Sequence, residues 1–128
     1  MKLTIELVPR PLWYKNNRID KAKWAEMRQS AINDEHLCTI CGAPGRDVHE
    51  IWEYDDANHT QRLAGLQYLC IACHEVKHFG PAARNGRSRQ ALAHFAKVNR
   101  ISVTEARRHI EAAFRLFEKR SKREWRQL

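Results

Sequence analysis

Four cysteines stand in two pairs, Cys38-Thr-Ile-Cys41-Gly42 and Cys70-Ile-Ala-Cys73, separated by 28 residues. In a reducing compartment such pairs do not close into disulfides, and four thiolates match the closed tetrahedral preference of zinc. Each pair makes a tight knuckle in which two sulfurs converge, and Gly42 helps the first one turn. Four thiolates leave no open coordination position, so this zinc is a staple that contributes folding free energy and does no chemistry. A redox role for the pairs would require a thioredoxin-like βαβ context, which the surrounding pattern lacks.

A second constellation overlaps the first. His74 follows Cys73 directly and His78 lies four residues on, which on a helix puts both imidazoles on one face, one turn apart, where they can share a metal. The segment Val48-His49-Glu50-Ile51-Trp52 adds two adjacent ionisable residues inside an apolar strand pattern. Adjacent strand residues face opposite ways, so a regular strand aims only one of them at a given ion; a bulge or a strand end would let both serve.

The order CxxC, then a strand ending in a His-containing dipeptide, then Leu69-Cys70-Ile-Ala-Cys73-His74 with His78 following resembles the HNH endonucleases, whose fold is a ββα-metal motif. The likeness spans about His36 to Gly80, a third of the chain. With Trp52, Tyr54, Asp55 and Lys77-His78-Phe79-Gly80 around it, it looks like a bacterial subgroup of that family. The resemblance implies that His49 is the first-strand metal ligand and that His74 and His78 are the ligands from the helix. Glu50 then falls where the family usually has its general-base His. An alternative register makes His49 the base and Glu50 the ligand. The family's central Asn, which buttresses the loop, falls by offset at Gly65, with Asn58 and Gln61 the polar residues nearby. The catalytic ion implied is one divalent metal: Mg, Mn, Ni, Co or Zn. A carboxylate is a weaker base than His unless desolvation raises its pKa.

The elements that must hold these residues are legible from pattern. Lys2 to Val8 alternates and reads as a strand that Pro9 and Pro11 end. Asp20 caps a helix to about Ile32, with Trp24, Met27, Arg28 and Ala31 at helical spacing. After Gly80 and Pro81 comes a loop with Asn85 and Gly86, a helix follows from about Ser88 to Val98 with Leu92, Phe95 and Ala96 inward, and Ser102 with Glu105 makes a capping box for a last helix. That helix has an apolar stripe of Ala106, Ile110, Ala113, Phe114 and Phe117. The expected fold class is α+β: an N-terminal strand and helix (1–35), a zinc-stapled ββα motif (36–80) and a basic helical extension (81–128), forming one compact domain. His36, His59, His94 and His109 read as structural or solvated, and Trp13, Trp24, Trp52 and Trp125 as packing groups.

Charge indicates the partner. Of 128 residues, 23 are Lys or Arg and 15 Asp or Glu; Met1 to Ala83 has a net charge of −1 and Arg84 to Leu128 of +9. A cationic segment of this kind favours polyanions, because basic side chains release counterions condensed on phosphates. Lys77, Arg84, Arg87, Arg89 and the Arg107, Arg108, Arg115 and Lys119 face of the last helix are the expected backbone contacts. The partner is then DNA, with RNA open. No apolar run approaches the ~20 residues of a membrane span, and the start lacks a signal-peptide pattern, which places the chain in the cytoplasm of a bacterium or as a phage-encoded protein. The leading reading is a metal-dependent HNH-type deoxyribonuclease; the alternative is a non-catalytic zinc module that binds nucleic acid. A third is a small subunit whose last helix docks on an acidic protein. The sequence leaves oligomeric state open.

Overall fold

The computed structural model describes residues 1–13 and 20–128. Its architecture is α+β: five α-helices, a sheet of three strands and a cluster of four cysteines. Helix α1 (Lys21–Ala31) begins where the Asp20 side chain accepts the Lys23 amide. It buries no residue fully and lies against the sheet.

Strands β1 (Asp47–Asp55) and β2 (Thr60–Leu69) form an antiparallel hairpin, and β3 (Arg126–Gln127) adds to β2 in parallel. Asp55 organises the turn: its carboxylate accepts the amides of Ala57 and Asn58 and the side chain of Asn58. His59 closes the turn at a φ of 53°. Loop support therefore comes from Asp55 with Asn58 as its partner, while Gly65, in the position of the family's Asn, sits within β2 opposite Ile51. Gln61 is buried and bonds instead to Tyr54 and Gln127. The register slips between Ile51 and Trp52, a bulge that bends the strand.

Strand β2 runs straight into helix α2 (Ile71–Lys77), because Cys70 caps that helix: its Sγ accepts the Cys73 amide at 3.3 Å. The helix thus starts three residues before His74. A short helix α3 (Phe79–Arg84) takes up the first part of the segment expected as a loop after Gly80 and Pro81, and the chain turns at Asn85 and Gly86 as expected; proline is tolerated in α3 because first-turn amides have no intrahelical acceptor to lose. Helix α4 (Ser88–Asn99) and helix α5 (Val103–Ser121) occupy the positions that spacing predicts, and Ser102 Oγ accepts the Glu105 amide as N-cap.

The expected strand at Lys2 to Val8 joins no sheet. Its polar backbone is satisfied by helix ends instead. Asn99 accepts the Leu3 amide and donates to the Leu3 carbonyl, and the Glu6 amide donates to the Lys77 carbonyl. Alternation marked Leu3 as inward, correctly, since it is fully buried, but could not say that the neighbour would be helical. Leu3 joins Ile40, Leu69, Val76, Phe95 and Ala106 in one core cluster that includes Cys38, Cys70 and Cys73.

Residues 32–46 carry no helix or regular strand, only an isolated bridge between Leu37 and Pro44. Close packing compensates: a Cβ on Gly45 would meet the ring of Tyr68 at 2.3 Å, and Tyr68 is itself buried. Gly45→Ala is expected to cost about 1–3 kcal/mol, as overpacking does, read as a lower urea midpoint with an unchanged slope.

Candidate functional site

The sulfurs of Cys38, Cys41, Cys70 and Cys73 all lie within 4.8 Å of one another, with Cys41 and Cys70 at 3.5 Å. A tetrahedron of thiolates around zinc, with bonds of ~2.3 Å, has edges of roughly 3.8 Å, so the group could hold a metal such as zinc. The thiols of the group titrate apart from one another. Burial would raise the Cys38 thiol, but amides of Cys41, Cys70 and Ile40 outweigh it and hold its pKa at about 7. Burial pushes Cys73 far up, and its neighbouring sulfurs push the same way.

His94 stands beside this group, a structural placement in line with its reading as structural or solvated. Its Nε2 lies 3.2 Å from Cys73 Sγ. Nothing in the sequence links residues 21 apart on two helices. A donor to a ligating sulfur stabilises the thiolate, and loss of such a partner typically costs ~10–100-fold in metal affinity. His94→Ala should therefore lose zinc to a competing chelator at correspondingly lower concentration; unchanged competition would make the contact incidental.

The second group is His49, His74 and His78, whose ligand atoms also lie within 4.8 Å of one another. His74 is on α2 and His78 is its C-cap; their ring centroids are 4.7 Å apart, and the β1 residue His49 stands 5.3 and 5.1 Å from them. His49 is buried, His74 half-buried and His78 exposed. Two carboxylates hold the first two rings. Glu6 Oε2 accepts from His49 Nε2 at 2.6 Å, and Asp47 Oδ2 from His74 Nδ1 at 3.1 Å. A carboxylate only accepts, so it fixes the proton on the nitrogen it faces and leaves the other nitrogen its lone pair. Desolvation where the rings meet, with repulsion from His49 and His74, pushes His78 down to about 4, so it is neutral near pH 7. Three imidazoles, two of them hydrogen-bonded to carboxylates, form a donor set that could hold a divalent transition ion.

Glu6 was not marked by the sequence, being one polar residue of an alternating segment. Asp47 carried a faint signal, two residues before His49 and so on the same face of the strand. Burial alone would raise the Glu6 carboxyl, but the His49 hydrogen bond and the charge of Lys77 hold it below the usual range.

No family model matches the chain, and neither does any curated protein or solved structure.

Glu50 lines the same cavity of about 370 Å³ as His49, His74, His78 and Glu6. Burial raises its carboxyl above the usual value, opposed in part by the charge of His49. Lys77 is corrected: instead of facing a polynucleotide it is 3 % exposed, donating to Thr4 Oγ1 at 2.8 Å and lying 3.5 Å from Glu6. The end of α2 turns it inward, where its charge compensates Glu6. Arg84, Arg89, Arg107, Arg108, Arg115 and Lys119 are exposed, and none of them lines the histidine cavity. Arg87 is exposed but forks onto Glu75. Among the described residues no helix is long and apolar enough to cross a membrane.

Proposed function

We propose that the chain is a metal-dependent endonuclease of HNH type, hydrolysing phosphodiester bonds in DNA. The observation that carries this reading is the convergence of His49, His74 and His78, from a hairpin strand and the helix that follows it, in a cavity shared with Glu50. Strand, strand and helix in that order, with candidate ligands on the first strand and at the helix, supports this reading, since the resemblance implies a ββα-metal arrangement.

A divalent ion bound by the three imidazoles would supply positive charge against the scissile phosphate and the leaving oxygen. Nitrogen donors suit Zn, Ni, Mn or Co, and Mg where water and phosphate oxygens complete the shell. Glu50 accepts a proton from the attacking water, a task its raised pKa favours over an ordinary carboxylate. Glu6 and Asp47 hold the rings of His49 and His74 in register, and the His49 hydrogen bond together with the charge of Lys77 holds the Glu6 carboxyl below its usual range. The cations of α5, with Arg84 and Arg89, hold the backbone by charge, which reads no base sequence.

Supercoiled plasmid incubated with Mg, Mn, Ni, Co or Zn should be nicked or linearised by the wild-type chain. The second reading, a zinc-stabilised module that binds nucleic acid without cutting it, is favoured by Glu50 and Gly65 standing where the family has His and Asn. It predicts salt-sensitive binding with no cleavage in any of these metals.

A further inference from the structure

A second cavity, of about 420 Å³, opens beside the histidine cavity and shares Glu6, Val8 and His78 with it. Its walls combine flat apolar surface with a cation. Trp13 stacks on Phe117 with centroids 6.1 Å apart and planes 19° from parallel, yet remains 52 % exposed. Its indole is held in place, because Nε1 donates to the Val8 carbonyl at 2.6 Å. Pro81 adds a further apolar surface, and Arg84, exposed, forms no ion pair among the described residues. Arg10, by contrast, is committed to Glu118 through both guanidinium nitrogens. An oriented, half-open indole in one cavity with a guanidinium that has no ion pair among the described residues is complementary to a planar ring carrying an anion.

We infer that this cavity is a nucleotide subsite that takes one unpaired residue of the substrate strand, its base on Trp13 and its phosphate on Arg84, next to the phosphate held at the three histidines. The volume is in the range of small-molecule sites, and stacking on an aromatic face tolerates any base. The ring must be out of a duplex to reach the indole, so the subsite distinguishes single-stranded or frayed substrate from intact duplex. Its placement rests on the endonuclease reading.

The test is fluorescence anisotropy of a labelled short single-stranded oligonucleotide and of the corresponding duplex, on the zinc-loaded protein with no other divalent ion added. Trp13→Ala should weaken single-strand binding about tenfold, the scale of one stacked base, and leave duplex binding within about twofold, whereas Arg84→Ala, which also removes a backbone charge, should weaken both ligands and the single strand more. Trp13→Phe should recover most of the loss, which separates stacking from a folding defect. An equal loss on both ligands, no loss on the single strand, or no single-strand binding by wild type would overturn the subsite. Wild type that shows the Trp13 effect but cuts no plasmid in any metal removes the endonuclease reading alone. Cleavage with unaltered single-strand binding by Trp13→Ala removes the subsite alone.

Discussion

Stripping the four-cysteine site of metal, or replacing Cys73 by Ser, will unfold the protein. Cys38, Cys70 and Cys73 are members of the core cluster, with Cys73 fully buried. The segment from 32 to 46 has no helix or regular strand to fix it. What ties it to β2 and α2 is a few backbone bonds, such as the Arg46 amide to the Leu69 carbonyl at 2.8 Å, and the sulfur cluster itself. Structural zinc in small modules contributes roughly 10–16 kcal/mol of apparent binding free energy, against a total stability of about 5–15 kcal/mol for an ordinary domain. Circular dichroism during chelator titration should show loss of the folded signal in step with zinc release. Cys41→Ser, at the exposed sulfur, should be impaired in the same sense but less. A melting curve unchanged after complete removal of metal would show that the core stands without it.

The second large effect tests the proposed endonuclease activity. Glu50→Gln keeps the shape of the side chain and removes the proton acceptor, and plasmid cleavage should fall by about 10²–10⁴, the usual contribution of a general base. His74→Ala, which removes one of three nitrogens, should abolish cleavage within detection and abolish binding of the second ion while the zinc content stays at one. Asp47→Asn is the informative intermediate: the ring stays but its orienting acceptor weakens, and a loss of ~10–100-fold in metal affinity is expected. The pH dependence has a definite sign. Glu50 accepts a proton only when ionised, and burial has raised its pKa above the usual 4.5. The rate should therefore climb as pH rises through that raised value, and this acid limb should vanish in Glu50→Gln. Full cleavage by both Glu50→Gln and His74→Ala would remove the endonuclease proposal.

The two ligand clusters were legible because their information is local. CxxC fixes two sulfurs within one knuckle, and four-residue spacing fixes two imidazoles on one turn, whatever the rest of the chain does. Helix caps are equally local, and Asp20 and Ser102 cap as their types predict. The partners of those clusters were not legible. Glu6 reaches His49 across 43 residues, and His94 reaches Cys73 across 21. Lys77 looked like one more surface cation, until the helix end placed it against Thr4 and Glu6.

Residue types and short spacings by themselves thus determined the four-sulfur group, the imidazole pair, the carboxylate beside His49, most of the helices and the cationic bias of the last third. Tertiary structure alone decided that Leu3 to Val8 packs along helix ends instead of joining the sheet, which carboxylates steer the imidazoles, and that an indole and a guanidinium border the same histidine. The physical reason is range. Backbone periodicity and capping act within a turn or two, whereas the polar partner of a buried group is whichever one the packed chain brings within hydrogen-bond distance.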